Sequence, residues 1–475
     1  MGEYRRRGGR STGRRGPRPG TKPGDGSGAA TSGTPRPANR SKVDPARLAA
    51  FDVLKAVRVE DAYANLVLPN VLEKYDLSGR DAAFATELAA GAIRWQGLYD
   101  AVIDANLDKP RLEAKVRDVL RLGAHQLLAM RVPDHAAIAT SVELTRDRVG
   151  TGPTGLVNAV LRKVAAHGLG AWIGQVAPDP SRDLVGHLAV ATSHPRWVVQ
   201  RLADALEGHG RSREELAELL AADNVSPKVT LVARPGLVEL SELEAAGAEP
   251  TGRSPYALTW GGGDLGALPA LVQGRAGVQD EGSQRVALAL DAAEVEGRDE
   301  RWLDLCAGPG GKTALLAALA ARRGAKVLAN ERQHHRSRLV ARGVRAVGDS
   351  MVGVVTGDGT APAWAEGTFD RVLVDAPCSG LGALRRRPES RWRRTEKDVL
   401  ELVELQQQLL RTALDSVRPG GVVVYATCSP VLEETSGVVA AVLAERDDVV
   451  EESRFQLWPH TDASDAMFVA TLRRR

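Results

Sequence analysis

The chain has 475 residues, 43% hydrophobic and 26% charged, enough for roughly two to four domains with real cores. Its three cysteines exclude a disulfide framework and fit a reducing compartment, so a cytoplasmic protein is expected. No apolar run approaches the ~20 residues of a membrane helix, and the basic N-terminus lacks the apolar stretch of a signal peptide.

The net charge of +3 hides an asymmetry. Residues 1–42 hold nine Arg and two Lys against Glu3 and Asp25, a balance of +9 that leaves −6 on the rest. Residues 1–43 are Gly, Pro, Arg, Ser and Thr with almost no large apolar residue, and are expected to be a disordered basic tail. Such an arm suits nucleic acid. Arg outnumbers Lys 52 to 11 throughout, however, a bias that a GC-rich genome also produces.

From 44 to 168 the periodicity is helical. Leu48, Phe51, Leu54 and Val57 make one apolar stripe, Val116, Val119, Leu120 and Leu127 another, and Val157, Val160, Leu161 and Val164 a third. With Pro133 and Gly150 to Pro153 as punctuation, an all-α domain of about six helices is expected. His125 and His135 stand without metal-ligand companions and read as structural, and no metal is expected. Residues 168–190 read as a linker. The remainder of 169–272 reads as a small α/β adaptor, with helices over 197–222 and a strand from Lys228 to Ala233.

From 273 to 475 strands and helices alternate. Strands are expected at Trp302–Cys306, Lys326–Asn330, Val352–Thr356, Arg371–Val374, Gly421–Ala426 and Ala466–Leu472, with helices at 313–322, 332–342, 396–416 and 433–444. This alternation implies a doubly wound, mostly parallel sheet. All three cysteines follow strands: Cys306 before a glycine turn, Cys378 in Asp375-Ala376-Pro377-Cys378-Ser379-Gly380, and Cys428 in Tyr425-Ala426-Thr427-Cys428-Ser429-Pro430. Parallel α/β sheets place their binding and catalytic groups at such strand ends.

Asp304-Leu305-Cys306-Ala307-Gly308-Pro309-Gly310-Gly311-Lys312-Thr313 brings the backbone close to a ligand at a helix N-terminus. A phosphate-binding P-loop would need Gly at 306, and a dinucleotide fingerprint would need Gly at 313. Cys and Thr stand there instead. A nucleoside ligand without a pyrophosphate fits better. Glu331 ends the next strand where an acid binds ribose hydroxyls, and Asp358 follows the third strand where an adenine amino group could be met. With Asp375, these strand-end acids suggest S-adenosylmethionine. The expected cofactor set is Cys306, Ala307, Gly308, Pro309, Gly310, Gly311, Lys312, Glu331, Asp358 and Asp375.

Two resemblances now apply. Arg80-Asp81-Ala82-Ala83-Phe84-Ala85-Thr86-Glu87-Leu88, Leu120-Arg121-Leu122-Gly123-Ala124, Val132-Pro133-Asp134-His135-Ala136-Ala137 and Val157-Asn158-Ala159-Val160-Leu161-Arg162-Lys163 resemble the NusB-type helical domain, which implies binding to RNA or a protein partner. The motifs at 303–313, 375–380 and 425–430, with Val278-Gln279-Asp280-Glu281-Gly282-Ser283-Gln284 upstream, resemble the RNA cytosine-C5 methyltransferases. Joined to a NusB-like front domain, they look like the bacterial 16S ribosomal RNA enzymes of the Sun, Fmu or RsmB type. The implied fold is an all-α domain followed by a Rossmann-like methyltransferase domain.

By the family pattern Cys428 is the nucleophile, Cys378 assists breakdown of the covalent intermediate, Asp375 anchors cofactor and faces the base, and Lys312 orients the site or lowers a thiol pKa. The dipeptide Pro377-Cys378 also matches the nucleophile of DNA cytosine methyltransferases, but Thr427-Cys428-Ser429 and the RNA-type front domain decide for Cys428. Arg385 to Arg394, with six Arg in ten residues around Trp392, is expected to hold phosphates and stack a base. A monomer acting on small-subunit ribosomal RNA is expected. The alternatives are the same chemistry on transfer RNA, or an RNA-binding assembly or transcription factor that keeps the fold as a scaffold.

Overall fold

The computed structural model describes residues 43–475 apart from Pro110. The basic tail and its proposed affinity for nucleic acid therefore lie outside the described residues.

Seven helices, rather than six, span Pro45–Val59, Ala64–Lys74, Gly79–Arg94, Gln96–Ala105, Ala114–Leu128, Asp134–Arg148 and Thr154–Val164. The first begins where the Asp44 side chain accepts the Arg47 N–H at 3.0 Å, with Pro45 in its first turn. Leu48, Phe51 and Leu54 enter a core shared with Leu88, Leu120 and Leu161. The additional break falls at Trp95, between Arg94 and Gln96, neither of which is a helix breaker. His125 is buried with Nδ1 2.8 Å from Tyr99 Oη, while His135 is exposed.

The stretch read as a linker is not extended. It contains helices Leu169–Val176 and Leu184–Ala191, and Trp172 is buried in the helical core with its Nε1 donating to Val164 O at 2.9 Å. Its apolar residues are few but sit on short helices that an existing core can receive. Helices Arg196–Gly208 and Leu216–Ala222 follow, and their leucines pack with Leu381, Leu384 and Trp458, close to the loop after Cys378.

Next comes a four-stranded sheet of β1 (Thr230–Ala233), β2 (Ala248–Pro250), β3 (Ala257–Trp260) and β4 (Ala276–Val278), in the order β2-β3-β1-β4. All its pairings are antiparallel, and β4 carries this unit past the expected boundary at 272. A three-residue strand gives little periodicity to read, so its partner decides it.

The large sheet contains β5 (Arg301–Asp304), β6 (Lys326–Glu331), β7 (Met351–Thr356), β8 (Phe369–Asp375), β9 (Val417–Thr427), β10 (Val449–Gln456) and β11 (Phe468–Arg474), in the order β10-β11-β9-β8-β5-β6-β7. The first five strands are parallel, and β11 and β10 close the edge antiparallel. Strand β10 was not expected, because Glu451 to Arg454 make it a polar edge strand without an apolar run. One face of the sheet packs on helices Glu281–Ala292, Gly311–Ala321 and His334–Gly343, the other on Glu396–Ser416 and Ser436–Leu443. The order reverses at β5, so a crevice opens at the carboxyl ends of β5 and β8.

The arginine-rich segment ties these parts together instead of lying open. Arg391 is fully buried, its Nη1 donating to Ser193 O at 3.0 Å and Asn224 Oδ1 at 2.9 Å. Arg393 donates to the Val57 and Ala62 carbonyls and lies 3.0 Å from Asp61. Arg387 and Arg393 each stack at 5.0 Å from the Tyr63 ring. Arg385 and Arg386 face Asp465, and Trp392 packs against Gly97. The expected phosphate and base contacts are corrected accordingly: four of the six guanidiniums are committed internally by ion pairs or hydrogen bonds. Arg391→Ala should leave its buried partners unpaired and lower unfolding free energy by about 3 kcal/mol. Urea denaturation measures it.

Candidate active site

The glycine turn is shaped by what stands behind it. A Cβ on Gly308 would collide with Glu331 Oε2, and one on Gly310 would sit 2.9 Å from Val340 Cα. Gly310 has φ +114°, a conformation that favours glycine, and it starts helix Gly311–Ala321. The turn is held by Ala307 N–H on Asn330 O at 2.9 Å and Arg336 Nη2 on Gly308 O at 2.6 Å.

Asp304 is buried below it. Thr313 Oγ1 donates to Asp304 Oδ2 at 2.7 Å, while Oδ1 has no partner. Burial, reinforced by Asp375, pushes its carboxyl up to about 7. Glu331 is buried at the end of β6, with Oε1 accepting the Gln333 N–H at 2.8 Å. Asp358 is exposed, and its Oδ1 accepts the Thr360 N–H at 3.0 Å and hydroxyl at 2.7 Å. Burial, with Asp304 next, pushes the Cys306 thiol well above its ordinary range, so this cysteine is a poor nucleophile.

The other two cysteines meet. Parallel register pairs Asp375 of β8 with Ala426 of β9, so the turns leaving these strands lie side by side. Cys378 and Cys428 stand Sγ to Sγ at 3.3 Å, both free thiols. Beside them Lys312 Nζ donates to Asp375 Oδ2 at 2.8 Å. Burial works to lower the lysine pKa, but Asp375 outweighs it and holds the ammonium above its usual range.

The pair is electrically unequal. Cys428 lies below the ordinary thiol range, first because Cys378 hydrogen-bonds to it, with Lys312 and Arg387 assisting against burial and Asp375. Cys378 is pushed well above that range by the same hydrogen bond, by burial and by the negative charges of Cys428 and Glu434. These influences favour the proton on Cys378 and the negative charge on Cys428. A low-pKa thiol is the one that attacks carbon near neutral pH.

Two residues were missed in the sequence. The Gln279 side chain is 7% exposed with both amide atoms unpaired, and its Cδ would lie 3.8 Å from a Cβ on Gly311. Its motif was visible, but no spacing rule places the end of β4 against the glycine turn. Glu434 is fully buried between the two cysteine turns. An acid on a short turn after a strand carries no signal of its own. Among the described residues, no group of His, Cys, Asp and Glu is placed to hold a metal ion.

A doubly wound sheet whose switch point opens onto a glycine turn lacking P-loop and dinucleotide signatures is the frame of a Rossmann-like methyltransferase. Known proteins agree. Residues 292–473 match the family described as 16S rRNA methyltransferase RsmB/F, and residues 44–166 match the NusB family. A Mycobacterium tuberculosis H37Rv protein bearing the methyltransferase name Rv1407 is 49% identical, covering 92% of this chain and 98% of its own length. Ribosomal RNA small subunit methyltransferase B of Salmonella arizonae is 31% identical, covering 90% and 98%. The crystal structure of PH0851 shares the fold, with TM-score 0.74 at 23% identity over 91% of this chain and 99% of that one. This chain belongs to the RsmB/F methyltransferase family and carries that family's catalytic domain behind a NusB domain.

Replacing Lys312 removes the cation that does most to hold the Cys428 thiol down. Lys312→Met should move the pH profile of Cys428 alkylation to higher pH and slow iodoacetamide labelling at pH 7 by roughly threefold or more. Peptide mass spectrometry reads both.

Proposed function

We propose that this protein transfers a methyl group from S-adenosylmethionine to C5 of a cytosine in 16S ribosomal RNA, through a covalent bond between Cys428 Sγ and C6 of the base. The observation that carries the reading is the pair of unequal thiols 3.3 Å apart at two adjacent strand ends. The RNA class is supported by relatives of near full-length coverage that are named ribosomal RNA small subunit methyltransferase B.

The residues present fit the cofactor. Buried polar atoms of Gln279 and Asp304 lack partners, and the turn from Cys306 to Lys312 leaves no room for a Cβ at Gly308. Glu331 would take the ribose hydroxyls, Asp358 the adenine amino group and Asp375 the methionine portion. When bound, S-adenosylmethionine supplies an electrophilic methyl group on a sulfonium.

Cytosine C5 is a poor nucleophile on its own. Attack of the Cys428 thiolate on C6 pushes the C5=C6 electron pair toward C5, which then takes the methyl group. The C5 proton passes to a base, its bonding pair re-forms C5=C6, and the Sγ–C6 bond breaks with its electrons returning to sulfur. Cys378 holds its proton next to that departing sulfur and stabilises the thiolate as it leaves. Lys312 holds Asp375 in place and keeps positive charge beside the reacting thiol. The target base must be unpaired or flipped to reach Cys428. The NusB-type domain, clamped through Tyr63 and Arg393, would keep bound RNA at a set distance from this crevice.

Cys428→Ala should lower methyl transfer by at least about 10³-fold while S-adenosylhomocysteine still binds in calorimetry. Cys378→Ala should accumulate a protein–RNA adduct that survives denaturing electrophoresis; an adduct in the Cys428 variant instead would exchange the two roles. Bisulfite sequencing of total RNA from a deletion strain should lose one 16S cytosine signal. Loss confined to transfer RNA would overturn the substrate.

A further inference from the structure

Each cysteine is followed by a serine, and both serines reach the same carboxylate. Glu434, in the short turn Leu432–Glu434, accepts the Ser379 N–H at 2.7 Å, the Ser379 hydroxyl at 2.5 Å and the Ser429 hydroxyl at 2.6 Å. Gln406 Nε2 donates to it at 3.2 Å and to Pro377 O, the residue before Cys378, at 2.8 Å. Tyr425 Oη donates to the Glu434 carbonyl at 2.8 Å, anchoring the turn to β9. Glu434, Ser429, Gln406 and Tyr425 are completely buried. Among the described residues no Lys, Arg or His forms an ion pair with Glu434.

An uncompensated buried carboxylate is costly, and an apolar side chain would fill the same space more cheaply. Four donors make the site tolerable, yet three of them come from the two serines that follow the thiols. A brace for the loops alone would need no charge. This carboxylate accepts the N–H of Ser379, the residue after Cys378, and its charge bears on that thiol, whereas Lys312 and Arg387 bear on Cys428. We infer that Glu434 is a positioning residue that locks the two cysteine turns together and determines which thiol keeps the proton. The acid on one side and the cations on the other then polarise the pair in a single direction. This inference rests on the proposed division of labour between Cys428 and Cys378, but concerns the free protein.

The test needs no RNA. Full-length protein is labelled with iodoacetamide across pH 6 to 9, and modification at each cysteine is followed by peptide mass spectrometry alongside thermal unfolding. Wild type should label Cys428 about tenfold or more faster than Cys378 at pH 7. Glu434→Gln keeps the shape but replaces an acceptor oxygen and the charge, and should bring the two rates within about threefold of each other. A Glu434→Gln protein that keeps the wild-type ratio and pH profiles overturns the inference, as does a wild type with no preference. If that variant unfolds, Ser429→Ala cuts the tie to the Cys428 turn and keeps the carboxylate. It should reduce the preference by about threefold or more, and an unchanged preference again overturns the inference. Absence of 5-methylcytosine product would instead overturn the proposed function and leave the labelling order standing.

Discussion

The site depends on the parallel pairing of β8 with β9. Register places Asp375 opposite Ala426, and from those positions each chain runs three or two residues to a cysteine. Two thiols fifty residues apart in sequence thereby come to 3.3 Å. A slip along either strand would separate them. Over residues 372–374 and 422–426 both strands are apolar and buried on both faces, which makes that register costly to change.

Charge then turns proximity into chemistry. Lys312, from the first turn of the helix after the glycine loop, and Arg387, from the segment after Cys378, bear on Cys428. Glu434 bears on Cys378. The groups come from separate elements, so the asymmetry of the pair exists only when the domain is assembled. The arginine-rich segment shows the same economy. Arg393 joins the helical domain, and Arg391 the segments around Ser193 and Asn224 that follow it, to the loop that carries Cys378, which fixes the front domain with respect to the crevice.

Much of this was legible beforehand. The strand-turn-helix at 301–321 could be read because an apolar run, a glycine cluster and a helical pattern follow in order. The five parallel strands were visible as short apolar runs, which the structure buries in β5, β6, β8 and β9 and leaves half-exposed in β7 at the sheet edge. Strand β10 was not, since an edge strand can be polar, and the helices within 169–191 were not, since each spans only about two turns. The arginine cluster was read by composition as an RNA surface. Composition does not tell a buried guanidinium from a solvated one when its carbonyl partners lie 168 or more residues away, as they do for Arg391 and Arg393.

The residue types and their order determined that strands would end in acids, a glycine turn and thiols, because each signal is local and short. They also determined the family, through motifs contained within a dozen residues. Only the tertiary structure decided that Cys378 and Cys428 touch, that Cys306 stays apart in a high-pKa environment, and that Glu434 and Gln279 belong to the site. Those facts depend on strand order, register and burial, which no local pattern encodes.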